Sequence, residues 1–278
     1  MRSILVMVKL TLREAMRRRI LAAGLVCGAA FLVLFATGLH FVVRDLGRHG
    51  AITRIERQVA LNMLTLAGLY ATNFLMVMAA VLLPVDTMSG EISSGVIQTL
   101  AAKPIRRSEI VIGKWLGHWL VLAGYFALLA LGVLLVARIE AGFSLPNVAQ
   151  GLPLMLLEGT VLLTLSIAGG TRFSTITNGM LAFGLYGLAF IGSWVERIGT
   201  YTNNTPARNV GTIASLIMPG QALWDRAAWF MQPAITRELG NTPFSPPSVP
   251  SEAMVWWAIG YCAVALCAGL VWMRRRAL

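Results

Sequence analysis

The chain has 278 residues, of which 57% are hydrophobic and only 13% charged, against about 25% charged in soluble domains, and its mean hydropathy is +0.72. That composition excludes an ordinary soluble globular protein and points to an integral membrane protein. The formal net charge of +11 sits mostly on residues flanking apolar runs, where topology and anionic lipids place cations, so no nucleic-acid partner is expected.

In chain order, residues 3–18 (SILVMVKLTLREAMRR) predict an amphipathic helix. Leu5, Val8, Leu12 and Met16 recur at helical spacing, and Lys9, Arg13 and Arg17 follow at i, i+4. Such a helix suits the surface of an inner leaflet. Six apolar runs follow, over residues 20–43, 60–85, 112–137, 148–168, 173–195 and 253–273. Each reaches the ~20 residues a helix needs to cross a bilayer. None shows the alternation of membrane barrel strands, so the expected fold is an all-α bundle of six transmembrane helices. The first run is too long for a signal-peptide core and lacks an A-x-A site, so it reads as a retained span. Residues 44–59 mix both charge signs and predict an external loop or short helix. Cys27, Cys262 and Cys267 fall inside apolar runs and read as small hydrophobes, with no disulfide or zinc pattern.

Residues 196–252 are the least ordinary connection. The stretch GTIASLIMPGQALWDRAAWFM is cut by Pro219-Gly220 into pieces too short to span. A seventh crossing would put Arg274, Arg275 and Arg276 outside, against the charge rule. A pair of short external helices over 208–232, re-entrant or interfacial, is therefore expected, with Trp224, Trp229, Trp194, Trp256 and Trp257 at interfacial depth. The following NTPFSPPSVP reads as an extended connector.

Lys and Arg divide between alternate connections as 14 against 9. The richer side holds both termini and the shorter loops, which predicts a multi-pass protein of the cell membrane with cytoplasmic N and C termini.

His40, His49 and His118 form no ligand spacing, and no metal site is expected. The chain has no G-x-x-x-x-G-K-[S/T] phosphate loop, so it carries no nucleotide site of that kind, and no catalytic residues are assigned. Glu158 is the sole carboxylate well inside an expected span, which makes it a functional candidate. The alternative is a neutral or hydrogen-bonded structural glutamate beside Gly159. Asn62, Asn73, Ser166 and the Gly169-Gly170 pair read as interhelical bonds and close packing.

Residues 89–115, SGEISSGVIQTLAAKPIRRSEIVIGKW, form a polar and basic island between the second and third spans. Ile92, Val96 and Leu100 predict a short amphipathic helix over 89–103, stopped by Pro104. Ser108 is placed as N-cap of the next helix, with Glu109 in its first turn. The result is a helix, a corner carrying Arg106 and Arg107, and a helix. This stretch resembles the cytoplasmic loop of ABC-2 type permeases, the membrane subunits of ATP-binding-cassette exporters. The pattern is carried by Glu91, Gly95, Leu100, Pro104, Arg107, Val111, Gly113 and Lys114. Val96 departs from it, since many members have threonine there. TLREAMRRRIL resembles the family's elbow helix, and IASLIMPGQALWDRAA its external helical pair. The branch it looks closest to is often described by multicopper-enzyme maturation.

The resemblance implies one ABC-2 type transmembrane domain over 1–278 and a subunit that pairs with a second copy, usually identical. That subunit docks onto two separate ABC ATPase subunits, which bind the ATP and Mg; the chain itself holds no cofactor. The region 86–110 would be the coupling helix seated in the ATPase, with Glu91, Gly95, Leu100, Pro104, Arg106, Arg107 and Lys114 as its docking group. Membrane lipids, and in some relatives an accessory membrane or extracytoplasmic protein, complete the implied partners. The implied function is export or extraction of an amphipathic or lipid-like substrate. Two other classes compete. One is an ion-coupled carrier using Glu158. The other is a membrane-embedded enzyme, which lacks an HExxH, GxGD or GxSG signature in this sequence.

Overall fold

The computed structural model describes residues 2–48, 53–93, 106–239 and 248–275. Among these residues the chain is all helical: α1 (Arg2–Arg17), α2 (Arg19–Arg48), α3 (Arg54–Leu82), α4 (Ser89–Ser93), α5 (Arg107–Ala141), α6 (Val148–Gly170), α7 (Thr175–Tyr201), α8 (Thr205–Ile217), α9 (Gly220–Phe230), α10 (Ala234–Leu239) and α11 (Glu252–Arg275). Six of them, α2, α3, α5, α6, α7 and α11, are long and apolar enough to cross a membrane.

The spanning helices outrun their apolar runs because polar residues beyond the lipid can still cap and extend a helix. The connector expected over 44–59 is one example. There α2 continues to Arg48 and α3 starts at Arg54, where Thr53 Oγ1 accepts the Glu56 N–H (3.2 Å) and Glu56 accepts the Thr53 N–H (2.9 Å). The expected N-cap at Ser108 is a second. Helix α5 already begins at Arg107, because the Glu109 carboxylate reaches back to the Arg106 N–H at 3.1 Å; Ser108 lies inside the first turn. At the far end Gly142, with φ +61°, closes α5 in the left-handed conformation that glycine tolerates.

Helix α6 is the centre of the bundle. Leu154, Met155, Val161, Leu162, Leu163 and Ile167 are buried among α3, α5, α7, α9 and α11. Polar side chains add bonds between helices: Trp115 Nε1 donates to Thr164 Oγ1 (2.9 Å), Trp119 Nε1 to Thr160 Oγ1 (3.0 Å), Ser166 Oγ to the Val81 carbonyl (3.2 Å) and Asn62 Nδ2 to the Met231 carbonyl (3.2 Å). Bonds of this kind contribute about 0.6 kcal/mol each in a membrane bundle.

Helix α1 lies on α5 through one face and leaves much of its apolar stripe exposed. Met7, Thr11 and Ala15 are buried, whereas Leu5 and Met16 stay exposed. The reason is the partner surface. Gly113 and Gly117 of α5 form a small-residue groove in which a Cβ at Gly113 would stand 2.5 Å from Met7 Cβ, and one at Gly117 would stand 2.7 Å from Thr11 Cβ. A Gly117→Leu substitution should displace α1 and cost about 1–3 kcal/mol of stability, the usual penalty for overpacking. Denaturant unfolding of the purified chain measures it, and an unchanged midpoint would contradict this packing.

Between α7 and α11 the chain forms a hairpin of two short helices. Helix α8 folds back along α7, where Gly192 meets Ala214, Gly199 meets Ala207 and Gly211 meets Glu196. After Met218 and Pro219, α9 turns to run beside α6, with Gly220 next to Glu158 and Met231 next to Gly151. At 13 and 11 residues, the two helices rise only ~20 and ~16 Å. Trp224 is fully buried and packs on Tyr70 with ring centroids 5.0 Å apart. It points inward because α9 presents this face to α3 and α6. Trp194, Trp256 and Trp257 are largely exposed, and Trp257 Nε1 donates to the Leu216 carbonyl at 3.0 Å.

Candidate functional site

Two polar constellations stand out. The first joins the corner after α3 to α1, α5 and α7. Residues 83–88 turn tightly before α4. Thr175 Oγ1, at the start of α7, donates to Asp86 Oδ1 (3.0 Å) and shares a 2.7 Å bond with Ser89 Oγ. On the opposite side Glu91 forms an ion pair with Lys114, whose side chain is completely buried. One turn along α5, the buried His118 bonds the Lys114 carbonyl through Nδ1 (2.9 Å) and Thr87 Oγ1 through Nε2 (3.2 Å). The first geometry makes Nδ1 a donor, which leaves Nε2 to accept from the Thr87 hydroxyl.

The expected docking residues therefore separate. Glu91 and Lys114 come together and face inward. Arg106 is exposed, and Arg107 Nη1 reaches the Arg274 carbonyl at the end of α11 (3.4 Å). Gly95, Leu100 and Pro104 lie outside the described residues.

Helix α1 completes this side. Ser3 Oγ donates to Glu109 (3.2 Å), and Glu14 pairs with Arg18 at 2.5 Å. Burial pushes the Glu14 carboxyl up, but the Arg18 hydrogen bond and the charges of Lys114 and Arg18 outweigh it and hold the group below its ordinary 4.5. The ionised form is thus favoured in the folded state. Its contribution to stability is complete above pH 4.5 and is lost as the pH falls through the lower folded value. The difference in melting temperature between wild type and Glu14→Gln should accordingly be largest near neutrality and vanish on acidification. A constant difference across that range would contradict the coupling.

The second constellation surrounds Glu158, halfway along α6 and completely buried. Asn73 Nδ2, from α3, donates to Oε2 at 3.0 Å. Among the described residues Oε1 has no hydrogen-bond partner, and neither does Asn73 Oδ1. Above Oε1 sits the tip of the hairpin, close enough that a Cβ on Gly220 would be 3.4 Å away. Asp225, further along α9, is held by Arg197 (2.6 Å) and Ser193 (3.3 Å) of α7. That pair pins α9 to α7 and takes the guanidinium away from Glu158. An ionised carboxylate at mid-span with a single hydrogen bond costs about 3 kcal/mol or more, beyond the ~2 kcal/mol that a helix N-terminus such as that of α9 returns at best.

The sequence singles out Glu91, Lys114, Asn73 and Glu158 but not which of them pair. Asp86, Thr87, His118 and Thr175 are lone polar residues on separate elements, and only the folded bundle shows that they meet. The Asp225–Arg197 pair was hidden in the same way. Two isolated charges on either side of a turn carry no spacing signal.

Comparison with known proteins adds the family. The sequence pattern of the ABC-2 family transporter proteins matches residues 5–278. The chain is also similar to the probable ABC transporter permease protein NosY of Pseudomonas aeruginosa, with 37% identity over 106 residues, covering 36% of this chain and 38% of that relative. The alignment thus spans well under half of the relative's length. With six helices able to span a membrane and a match that runs nearly from end to end, the chain belongs to the ABC-2 family of transporter proteins.

Proposed function

We propose that this chain is the membrane-spanning permease subunit of an ABC transporter, coupling ATP hydrolysis by a separate ATPase subunit to export or extraction of an amphipathic or lipid-like substrate. The observation that carries the reading is the family match over residues 5–278 on a six-span bundle. In this reading the ATP and Mg belong to two ATPase subunits, and a second copy of the permease completes the complex.

The corner between α3 and α5 is the coupling region. Exposed Arg106 faces the ATPase and Arg107 borders it, while Glu91 and Lys114 lock α4 to α5 so that a push on the corner moves the spans. Helix α1 is the elbow, lying on the inner leaflet with Leu5, Met16, Lys9 and Arg13 turned to lipid. The α8–α9 hairpin enters from the outer side and returns, since its tip lies against mid-helix Glu158 while Met231 lies near the start of α6. The excess of cations on the terminal side supports cytoplasmic termini.

Copurification tests the assignment. The tagged chain, extracted from its native membrane, should bring an ABC ATPase with it, and Arg106→Glu combined with Arg107→Glu should reduce the ATPase recovered at unchanged permease yield. Recovery of no ATPase from the wild type would contradict the proposal. For orientation, a cysteine placed at Ser215 should react with an impermeant thiol reagent from outside and one at Ser94 only from inside; the reverse labelling would overturn the topology.

A further inference from the structure

The carboxyl of Glu158 and the amide of Asn73 are bonded at one end and orphaned at the other. Nδ2 of Asn73 donates to Oε2 of Glu158 at 3.0 Å, whereas Glu158 Oε1 and Asn73 Oδ1 are both buried acceptors without a donor among the described residues. Each side chain of the bonded pair thus keeps one acceptor unsatisfied, which one shared proton would reconcile. It would turn the single bond into the two-bond arrangement that a carboxylic acid makes with a primary amide. We propose that Glu158 is a proton-binding site, loaded while the α8–α9 tip is seated over it and emptied toward the side on which α8 begins when the tip lifts.

The surroundings favour the loaded form. Among the described residues, the titratable groups near Glu158 are Tyr70 from α3, Tyr186 from α7 and Asp225 from α9, and none of these is a cation. Asp225 is already bound to Arg197. From α5 come Trp115 and Trp119, bonded to Thr164 and Thr160, and from α11 comes Cys262 beside Thr164. The positive end of α9 is near, yet no N–H of its first turn bonds Oε1. A carboxyl sealed from water without a cationic partner takes a proton rather than a charge. When Gly220 moves away and water enters, the O–H bond breaks, the proton passes to water and the carboxylate stays behind, solvated.

The tip is closely packed, with Met218, Gly220, Leu223 and Trp224 buried, so lifting it requires α8 and α9 to leave their seats together. Helix α8 rests on α7 through small residues, with Gly192 against Ala214, and Trp257 reaches the Leu216 carbonyl. The proton site thus reports whether the hairpin is closed, independently of whether an ATPase drives it.

Infrared spectroscopy of the full chain in lipid nanodiscs, without an ATPase, tests the proposal. Wild type at pH 7 should show the C=O band of a protonated carboxyl, and Glu158→Gln should remove it. Asn73→Ala should keep the band and shift it to higher frequency, because the carbonyl loses its hydrogen bond. Gly192→Leu, which forces α8 away from α7, should abolish the band. Absence of the band in wild type, or its survival in Glu158→Gln, overturns the site. If the Gln variant does not fold, an unshifted band in Asn73→Ala does the same. A band that persists in Gly192→Leu, once labelling of a cysteine at Leu216 shows the tip lifted, overturns the link to the hairpin. None of these results bears on ATP-driven transport, so this site and the permease reading fail separately.

Discussion

Replacing Lys114 with methionine should destabilise the protein by about 3 kcal/mol, since breaking a buried ion pair by removing one member is strongly destabilising. Lys114 is fully buried, and its Glu91 partner is 15% exposed at the side chain, so the lower end of the usual range applies. The pair also links two segments with no other ion pair between them among the described residues. The loss should therefore appear twice, as a lower unfolding midpoint and as weaker coupling between α4 and α5. The double variant Glu91→Gln with Lys114→Met should recover part of the stability, because it removes both charges of the pair together. Denaturant unfolding of wild type, both single variants and the double variant closes the cycle. Equal and additive losses would contradict the buried pairing.

The second large effect is expected at Trp224. Its indole is fully buried against Tyr70 and fixes α9 to α3 and α6. Trp224→Ala should cost about 3–5 kcal/mol, as large-to-small core changes do when the surroundings cannot collapse. The hairpin should loosen as well, although the Asp225–Arg197 pair, the Asn62 bond to the Met231 carbonyl, the Trp257 bond and the small-residue contact with α7 still hold it. Reaction of a cysteine at Ser215 with a thiol reagent should become faster in the variant, while the melting temperature falls. Unchanged labelling with a lowered melting temperature would show that the tryptophan stabilises the core without seating the hairpin.

How much of this was legible in the sequence depended on the kind of signal. The six spans are set by hydropathy, a property of each segment alone, and all six appear. Their ends are set by caps that hydropathy does not register. Glu56 and Glu109, which fix the starts of α3 and α5, look like ordinary loop charges until the helix forms around them. The apolar stripe of α1 is a property of its own sequence, whereas the face it buries against α5 depends on the groove at Gly113 and Gly117 of another helix. The burial of Trp224 likewise follows from α9 packing on Tyr70, which no single segment reveals. Glu158 was recognisable as an intramembrane carboxylate, yet its bond partner Asn73 lies 85 residues away. Lys114 and Glu91 both belong to the expected docking group, and their mutual pairing is visible only in the folded bundle.

The hairpin and the corner lie at different levels of the same bundle. Helix α6 touches the hairpin at Glu158 and Gly151, and its far end meets the corner where Gly170 approaches Met88. Helix α7 spans the same distance, from Asp86 and Ser89 at its start to Asp225 near its end. Two adjacent helices therefore connect the proposed ATPase face with the proposed outer gate, a physical route for coupling that needs no further element.

The most direct measurement of the central claim is ATP hydrolysis by the complex that copurifies with this chain, reconstituted in liposomes and compared with the complex carrying Arg106→Glu and Arg107→Glu. The account predicts hydrolysis in the wild-type complex and a marked fall in the variant, with the bundle still folded. It is contradicted if the wild-type chain brings no ATPase with it and, alone in liposomes, drives flux along a proton gradient that Glu158→Gln abolishes.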